Sequence, residues 1–162
     1  MPSASWEAGR AAGPARRSGP DPSRRPRWRR PALAYSVWHT AERTIFYDCF
    51  GVAIAYTSDG ERIYLFDGRP AAFIRSGSVY AYSGQHLGWV SDGWIRDHNS
   101  DAVYFSNGPR RGGPVPPVPH VPPVPAVPQV PPVPGVPQVP PVSPVPSLGW
   151  SQLAGATFFE RG

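Results

Sequence analysis

Residues 62–75 read Arg-Ile-Tyr-Leu-Phe-Asp-Gly-Arg-Pro-Ala-Ala-Phe-Ile-Arg, and this stretch decides the fold. Two short runs of aliphatic and aromatic residues flank the Asp67-Gly68 step. Such runs suit the pleated surface of a β-strand, and glycine tolerates the positive φ that a type I′ hairpin turn needs. The stretch therefore predicts a β-hairpin with a type I′ turn at Asp67-Gly68.

The same unit recurs four times, with spacings of 17, 16 and 16 residues in three separate columns. The turn column is Gly51, Gly68, Gly84 and Ser100; the aliphatic column is Phe46, Ile63, Val79 and Ile95; the aromatic column is Tyr56, Phe73, Trp89 and Phe105. One short hairpin is not stable alone, whereas repeated units that share a core are. The sequence predicts an all-β domain of four hairpins, with the aromatic column around a pseudo-fourfold axis and the aliphatic column beside it.

A different repeat occupies residues 114–146, where valine stands at every third position from Val115 to Val145. Proline follows each of these eleven valines except at Ser143. A period of three matches polyproline II, which has three residues per turn and no internal hydrogen bonds. We therefore expect an extended spacer with its valines along one stripe, reaching roughly 100 Å.

Composition and charge divide the chain further. Residues 1–34 carry eight arginines against Glu7 and Asp21, whereas residues 36–108 have a net charge of −3. The basic balance thus belongs to an Arg/Pro-rich tail that we expect to be disordered, and a nucleic-acid-binding face on the folded part is not expected. Cys49 is the only cysteine, which excludes an intrachain disulfide. The predicted organisation is a tail (1–34), a β-domain (35–108), a proline-rich spacer (109–147) and a C-terminal apolar motif (148–162).

Several runs resemble the bacterial 4-fold β-flower family: Phe46-Tyr-Asp-Cys-Phe-Gly-Val-Ala-Ile-Ala-Tyr56, Ile63-Tyr-Leu-Phe-Asp-Gly-Arg-Pro70, Val79-Tyr-Ala-Tyr-Ser-Gly-Gln-His-Leu-Gly-Trp89 and Gly93-Trp-Ile-Arg-Asp-His-Asn99. The valine triplets and the closing Ser147-Leu-Gly-Trp-Ser151 add to the likeness, which covers residues 45–162. The resemblance implies a shallow, pseudo-fourfold symmetric barrel of hairpin petals and no known activity. It also implies similarity to Tubby C-terminal-like domains and, by analogy, a lipid or membrane-surface role. Where the family often has arginine or lysine after valine, this chain has proline, which argues against a charge-based role for the segment.

Candidate ligand-binding residues lie in the hairpins. Tyr64 and Tyr80, with Tyr47 and Arg96 at corresponding positions, are predicted to line one mouth of the barrel, where small barrels hold ligands; the alternative is that they are ordinary half-buried strand residues. Asp97-His98-Asn99 with Asp101 is the densest polar group. It indicates either a polar turn or an acid–base or metal site with His86, and His98 is the ligand-binding candidate from it.

Candidate partner-binding residues follow the domain. Arg111, Pro114 and Pro117 have the spacing of an SH3-type ligand, although a stiff spacer with the same prolines is the simpler interpretation. Trp150, Phe158 and Phe159 are too apolar for a plain tail and are predicted to dock on the domain, a membrane or a partner.

The sequence therefore predicts a non-enzymatic binding or scaffolding module for an apolar or lipid-like ligand, a membrane surface or a protein partner. No catalytic residue, metal site or cofactor is predicted. The alternative is a small metal-dependent or acid–base enzyme centred on Asp97 and His98. We expect a cytoplasmic protein, peripheral to a membrane where it binds lipid.

Overall fold

The structure, a computed structural model, describes residues 43–162 and, before them, Gly13 alone. The predicted tail at 1–34 and the predicted domain start at residue 35 lie outside the described residues. Eight strands and one 3₁₀ helix follow in chain order: β1 Thr44–Tyr47, β2 Ala53–Thr57, β3 Arg62–Leu65, β4 Pro70–Arg75, β5 Ser78–Tyr80, β6 His86–Ser91, β7 Trp94–Arg96, β8 Ala102–Ser106 and the helix Gly155–Arg161.

The eight strands form one closed antiparallel barrel, in which each strand pairs with the next and β8 pairs with β1. Four hairpins, β1–β2, β3–β4, β5–β6 and β7–β8, are the repeated units, and we call them petals. A register shift occurs at the same place in each petal, for example between Ile63 and Tyr64. The predicted all-β barrel of four hairpin repeats is confirmed.

The turn inside each petal, the petal turn, has a different geometry from the predicted one. Gly68 has a φ of +88° and donates its N–H to the Leu65 carbonyl at 3.0 Å. Positive φ occurs only at this fourth residue, so the turn is a type I turn followed by a left-handed glycine, and the type I′ prediction is wrong. The other petal turns close in the same way, from Gly51, Gly84 and Ser100 to the carbonyls of Asp48, Ala81 and Asp97.

Mostly small and aliphatic side chains, with a few aromatic ones, fill the centre of the barrel. The core includes Phe46, Ala55, Ile63, Ala72, Val79, Ile95, Val103 and Tyr104. Side chains alternate between the two faces of a strand. Residues that follow Ala55, Ala72 and Tyr104 therefore point to the outer face, and these residues belong to the aromatic column.

The aromatic column thus packs between petals, and the prediction that its rings meet at the axis is wrong. Tyr56 stacks on Tyr64 across β2–β3, with ring centroids 5.9 Å apart. Phe73 stacks in the same way on Tyr80 at 5.4 Å, and Phe105 on Tyr47 at 5.3 Å. Each ring therefore joins one petal to the next.

The C-terminal helix closes the barrel. Phe158 and Phe159 are buried in the central core, and their rings contact Tyr104 at 5.7 and 5.4 Å. Gly88 lies close to both the neighbouring strand and the helix, because a Cβ there would overlap the Arg96 carbonyl oxygen and would lie 3.3 Å from the Phe158 ring. Burying two phenylalanines contributes roughly 3–6 kcal/mol before entropic costs. We call residues 155–161 the plug; its neighbour Gly162 faces Ala81 and Leu87, so the plug lies at the end of the barrel that carries the petal turns, the rim end.

Residues 114–147, which we call the belt, follow the rim end without forming helix or strand. N–H groups of the belt donate to the four petal turns in order, from His120, Gln129, Gln138 and Ser147 to the carbonyls of Gly51, Gly68, Gly84 and Ser100 at 2.8, 2.9, 2.9 and 3.1 Å. Nine residues separate successive donors, which is roughly 28 Å of polyproline II per petal. The segment is bound to its own barrel, so it does not project from the barrel as the predicted spacer would.

The belt passes too close to three of the four petal turns for a side chain at Gly51, Gly68 or Gly84, and we predict that Gly68→Ala destabilises the protein more than Gly60→Ala. Both glycines have positive φ, so alanine is strained at both. A Cβ at Gly68 would also overlap the Val127 carbonyl oxygen, whereas nothing lies within 4 Å of one at Gly60. We expect an additional loss of about 1–3 kcal/mol for Gly68→Ala, measured by urea unfolding. Equal losses in the two variants would show that the belt adds nothing at this turn.

Candidate functional site

Proline has no backbone N–H, and in the third slot of the triplets the residues that keep an N–H are the ones that donate it to the barrel. The third slot of the Val-Pro-x triplets is proline at five positions and another residue at six. All six non-proline residues donate their N–H to the barrel. Four of these contacts are given above, and in the other two Ala126 and Gly135 donate to the carbonyls of Phe66 and Tyr82 at 2.8 Å. The residue type in the third slot therefore indicates where the belt is hydrogen-bonded to the petals. The nine-residue recurrence of non-proline residues at 120, 129, 138 and 147 was a signal in the sequence, and the prediction of a uniform spacer missed it.

Arg96 joins the two ends of the belt. The residue is 2% exposed, and its guanidinium donates from Nη1 to the carbonyls of Ser100 and Ser147, both at 2.8 Å, and from Nη2 to the carbonyl of Gly112. It also lies over the Trp94 ring, 5.9 Å from the centroid. Burial lowers the pKa of Arg96 below its usual value, without approaching neutrality for a guanidinium. We call this arrangement the clasp.

The clasp revises the role predicted for Arg96. The two nitrogens at the end of the side chain are both engaged with backbone carbonyls of the same chain, so they are not presented to a ligand at a barrel mouth. Arg96 occupies the position that Tyr47, Tyr64 and Tyr80 hold in the other petals. The residue type at this position thus changes in the fourth petal, where Arg96 contacts both Gly112, just before the belt, and Ser147, at its end.

Tyr64 and Tyr80 lie in the aromatic layers between petals. Their rings pack on Tyr56 and Phe73, and neither tyrosine lines the two cavities described below. The barrel mouth at the rim end is filled by the plug. Tyr64 and Tyr80 are therefore placed as packing residues, and ligand binding by them stays a prediction.

The polar group of the fourth petal is built into a turn. Asp97 accepts the N–H groups of Asn99 and Asp101 on Oδ1, at 2.9 and 3.1 Å, and the Ser151 hydroxyl on Oδ2 at 2.6 Å. Its carboxylate is buried and holds both the petal turn and the C-terminal segment in place. The alternative interpretation as a polar turn describes Asp97 well.

His98 contacts the neighbouring petal through a histidine pair. Its Nε2 lies 2.9 Å from Nδ1 of the buried His86, and the Trp89 ring lies edge-on to both rings. Burial, and secondly the charge of His98, lowers the pKa of His86. Among residues 43–162, no group of three His, Cys, Asp or Glu side chains could hold a metal ion.

Two cavities border the belt and the C-terminal segment. The larger, of about 1020 Å³, lies between belt residues 131–137 and the second and third petals, with Arg62, Phe73, Arg75 and Tyr82 in its walls. The smaller, of about 590 Å³, lies beside the fourth petal turn and includes His98, Asp101 and Trp150. Of the four predicted ligand-binding residues, only His98 lines either cavity.

The predicted partner-binding residues are distributed over the clasp and the C-terminal segment. Arg111 is exposed and its N–H donates to the Asp92 carbonyl at 3.0 Å; Pro114 is buried and Pro117 is half-buried against Gly51. Trp150 is half-buried against Trp94 and Phe105. Phe158 and Phe159 lie in the barrel core, so in this structure they offer no surface to a partner. Binding through Arg111, Pro114, Pro117 and Trp150 stays a prediction.

The valines of the belt point away from the barrel. All eleven, Val115, Val118, Val121, Val124, Val127, Val130, Val133, Val136, Val139, Val142 and Val145, are 83–94% exposed. The other large hydrophobic residues that are exposed among residues 43–162 are Phe50 and Val52, at the first petal turn, and Leu148, directly after the belt. These fourteen side chains all lie on the belt or next to a petal turn, and we call them the apolar rim.

The clasp gives the second prediction: Arg96→Lys destabilises the fold, while Arg75→Lys does not. A lysine keeps the charge, but its single ammonium cannot serve three carbonyls that a planar guanidinium reaches from two nitrogens. We expect a loss of about 2–4 kcal/mol for Arg96→Lys, measured by urea unfolding. Arg75 is the control because it is exposed and forms no ion pair with the described residues. A loss under about 0.5 kcal/mol, the range of ordinary surface substitutions, would contradict the clasp.

Comparison with known proteins agrees with this geometry. The family described as 4-fold beta flower protein matches residues 44–159, which include all eight strands, the belt and most of the plug, and the chain belongs to this family. No curated protein and no solved structure shows significant similarity to the chain. In the part of the chain that the structure describes, no helix is long and apolar enough to cross a membrane.

Proposed function

We propose that this member of the 4-fold beta flower family is a non-enzymatic binding module that docks on a lipid membrane surface through its apolar rim. The observation that carries the proposal is the exposure of all eleven belt valines. An arc of four belt valines presents roughly 400 Å² of apolar surface, which is within the 300–600 Å² of the largest patch on a typical monomer, a patch that is often functional. Exposed apolar surface of this size is typical of an interaction site.

The exposed hydrophobic side chains are concentrated on one segment of the chain. The apolar rim contains the large exposed hydrophobic residues of positions 43–162, and each of them lies on the belt, directly after it or beside the first petal turn. The belt is bound to the petal turns at the rim end, and its residues 131–137 also border Arg62 and Arg75. The opposite end has polar turns, including the ion pair of Asp59 and Arg62 at 3.0 Å, and exposed Arg75 and Asp92. The rim end also has one exposed ion pair, Asp67 with Arg69.

The expected free energy of membrane binding favours reversible rather than permanent attachment. Burying a valine side chain contributes about 1.5 kcal/mol, so an arc of four valines in the interface supplies roughly 6 kcal/mol. The belt is already fixed to the petals, so little conformational entropy is lost on docking. The arginines of residues 1–34, with a net charge of +6, add about 1 kcal/mol for each one near an anionic surface. Together these contributions correspond to a dissociation constant in about the micromolar range. The apolar and the electrostatic contribution are the two signals that peripheral membrane proteins commonly combine.

The proposal is tested by flotation of the purified full-length chain with vesicles of phosphatidylcholine alone or mixed with phosphatidylserine. We expect binding to the mixed vesicles that weakens in high salt, as the arginine contribution is screened. The quadruple variant Val121→Ser, Val124→Ser, Val130→Ser and Val133→Ser should bind at least about tenfold more weakly. These valines are exposed, so its thermal unfolding should match that of the wild type.

The matched control replaces the same four valines with isoleucine, which keeps the apolar stripe and should bind as well as the wild type or better. Two outcomes contradict the proposal: absence of the wild-type chain from both kinds of vesicle, or equal flotation of the serine variant and the wild type. The second outcome would assign the binding to the arginines alone.

A further inference from the structure

Three petal turns make the same contact with the belt. At Gly51, Gly68 and Gly84 the glycine Cα faces a valine carbonyl, so closely that a Cβ would overlap the oxygens of Val118, Val127 and Val136. The carbonyl of the same glycine accepts the N–H two residues after that valine. Each of these turns therefore engages the backbone of one Val-Pro-x triplet.

The contact that these turns share uses backbone geometry and a single donor. The valine side chains point away from the barrel, and the third-slot side chains of His120 and Gln129 are exposed as well. At the third petal the Gln138 side chain adds a contact, because its Oε1 accepts the N–H of His86 at 3.1 Å. What a petal turn requires is an extended segment with an N–H in the third slot, and proline there cannot bind. Recognition of extended proline-rich segments is an established use of grooves in other domains.

The belt is held by small separate contacts. Between the first and fourth petals, each triplet whose third slot is not proline contributes one backbone hydrogen bond, and the triplets that end in proline contribute none, while the ends are fixed by the clasp and the plug. Local opening of one stretch therefore costs little compared with global unfolding. An opened petal turn presents a glycine carbonyl in a preformed geometry.

We propose that the petal turns are binding sites for Val-Pro-x segments supplied by another chain, which replace the belt locally while the clasp stays closed. The ligand is an extended proline-rich peptide of Val-Pro-x triplets. At intervals of nine residues, its third slot holds a residue other than proline, which supplies the N–H donor. A second copy of this chain carries such a segment, and so does any other protein with the same triplets. This site is distinct from the apolar rim, since it uses the barrel-facing side of the belt.

The test uses the full-length chain with the paired substitutions Gln129→Pro and Gln138→Pro. Proline in the third slot preserves the triplet pattern and removes the donors to Gly68 and Gly84. The matched control carries Gln129→Ala and Gln138→Ala, which keeps both donors. The probe is a fluorescent peptide with the sequence of residues 124–139, and its counterpart has proline at the positions equivalent to 126, 129, 135 and 138.

We expect the peptide to bind the proline variant about 5–30-fold more tightly than the alanine variant, by fluorescence anisotropy, since two competing hydrogen bonds are removed from the chain's own belt. The all-proline counterpart should show no binding. Equal binding of the two peptides, or no binding of either to the proline variant at millimolar concentration, would overturn the proposal. If the proline variant loses its near-ultraviolet circular dichroism, the single variant Gln129→Pro is used with the same two peptides.

A further experiment distinguishes whether the segment comes from a second copy of this chain or from a different proline-rich protein. Light scattering of the wild-type chain over a range of concentrations reports exchange between copies as a concentration-dependent dimer. A monomer throughout, together with peptide binding, assigns the segment to a different proline-rich protein.

Discussion

The hydrogen bond from a third-slot N–H to a petal-turn carbonyl is the interaction on which the rest of the arrangement depends. A proline-rich segment has few donors, so it can bind a barrel only where a residue other than proline faces an acceptor. The petal turns provide that acceptor at Gly51, Gly68, Gly84 and Ser100. Because these contacts use the inner side of the belt, its valines face solvent, and the apolar rim is a consequence of the same geometry.

The fourth petal differs from the other three because the belt begins and ends there. Arg96 replaces tyrosine and serves carbonyls at both ends of the belt, Ser100 replaces glycine in the turn, and Asp97 accepts the Ser151 hydroxyl. Gly88 and Tyr104 then accommodate the plug. Closure of the belt and entry of the C-terminal segment thus explain three departures from symmetry, at Arg96, Ser100 and Asp97.

The sequence columns were sufficient to predict the strands and the fourfold barrel, because three of them share one spacing series. They did not determine which column faces inward, since both faces of each strand are apolar and a period of two is satisfied either way. The orientation was indicated by the residue that precedes each member of the aromatic column. This residue is small in three petals, at Ala55, Ala72 and Gly88, and is Tyr104 in the fourth. Small residues at a barrel centre require another group to fill the space, and Phe158 and Phe159 are that group. Because more than fifty residues separate these two phenylalanines from β8, spacing arguments could not predict the contact.

Amide hydrogen exchange along the belt tests the central claim most directly. The N–H groups of His120, Ala126, Gln129, Gly135, Gln138 and Ser147 donate to the barrel, whereas no belt valine donates its N–H to a backbone carbonyl of the described residues. We therefore expect slow exchange at the six third-slot residues, by roughly tenfold or more, and fast exchange at the valines beside them. Uniformly fast exchange at both kinds of residue would contradict a belt bound to the petal turns.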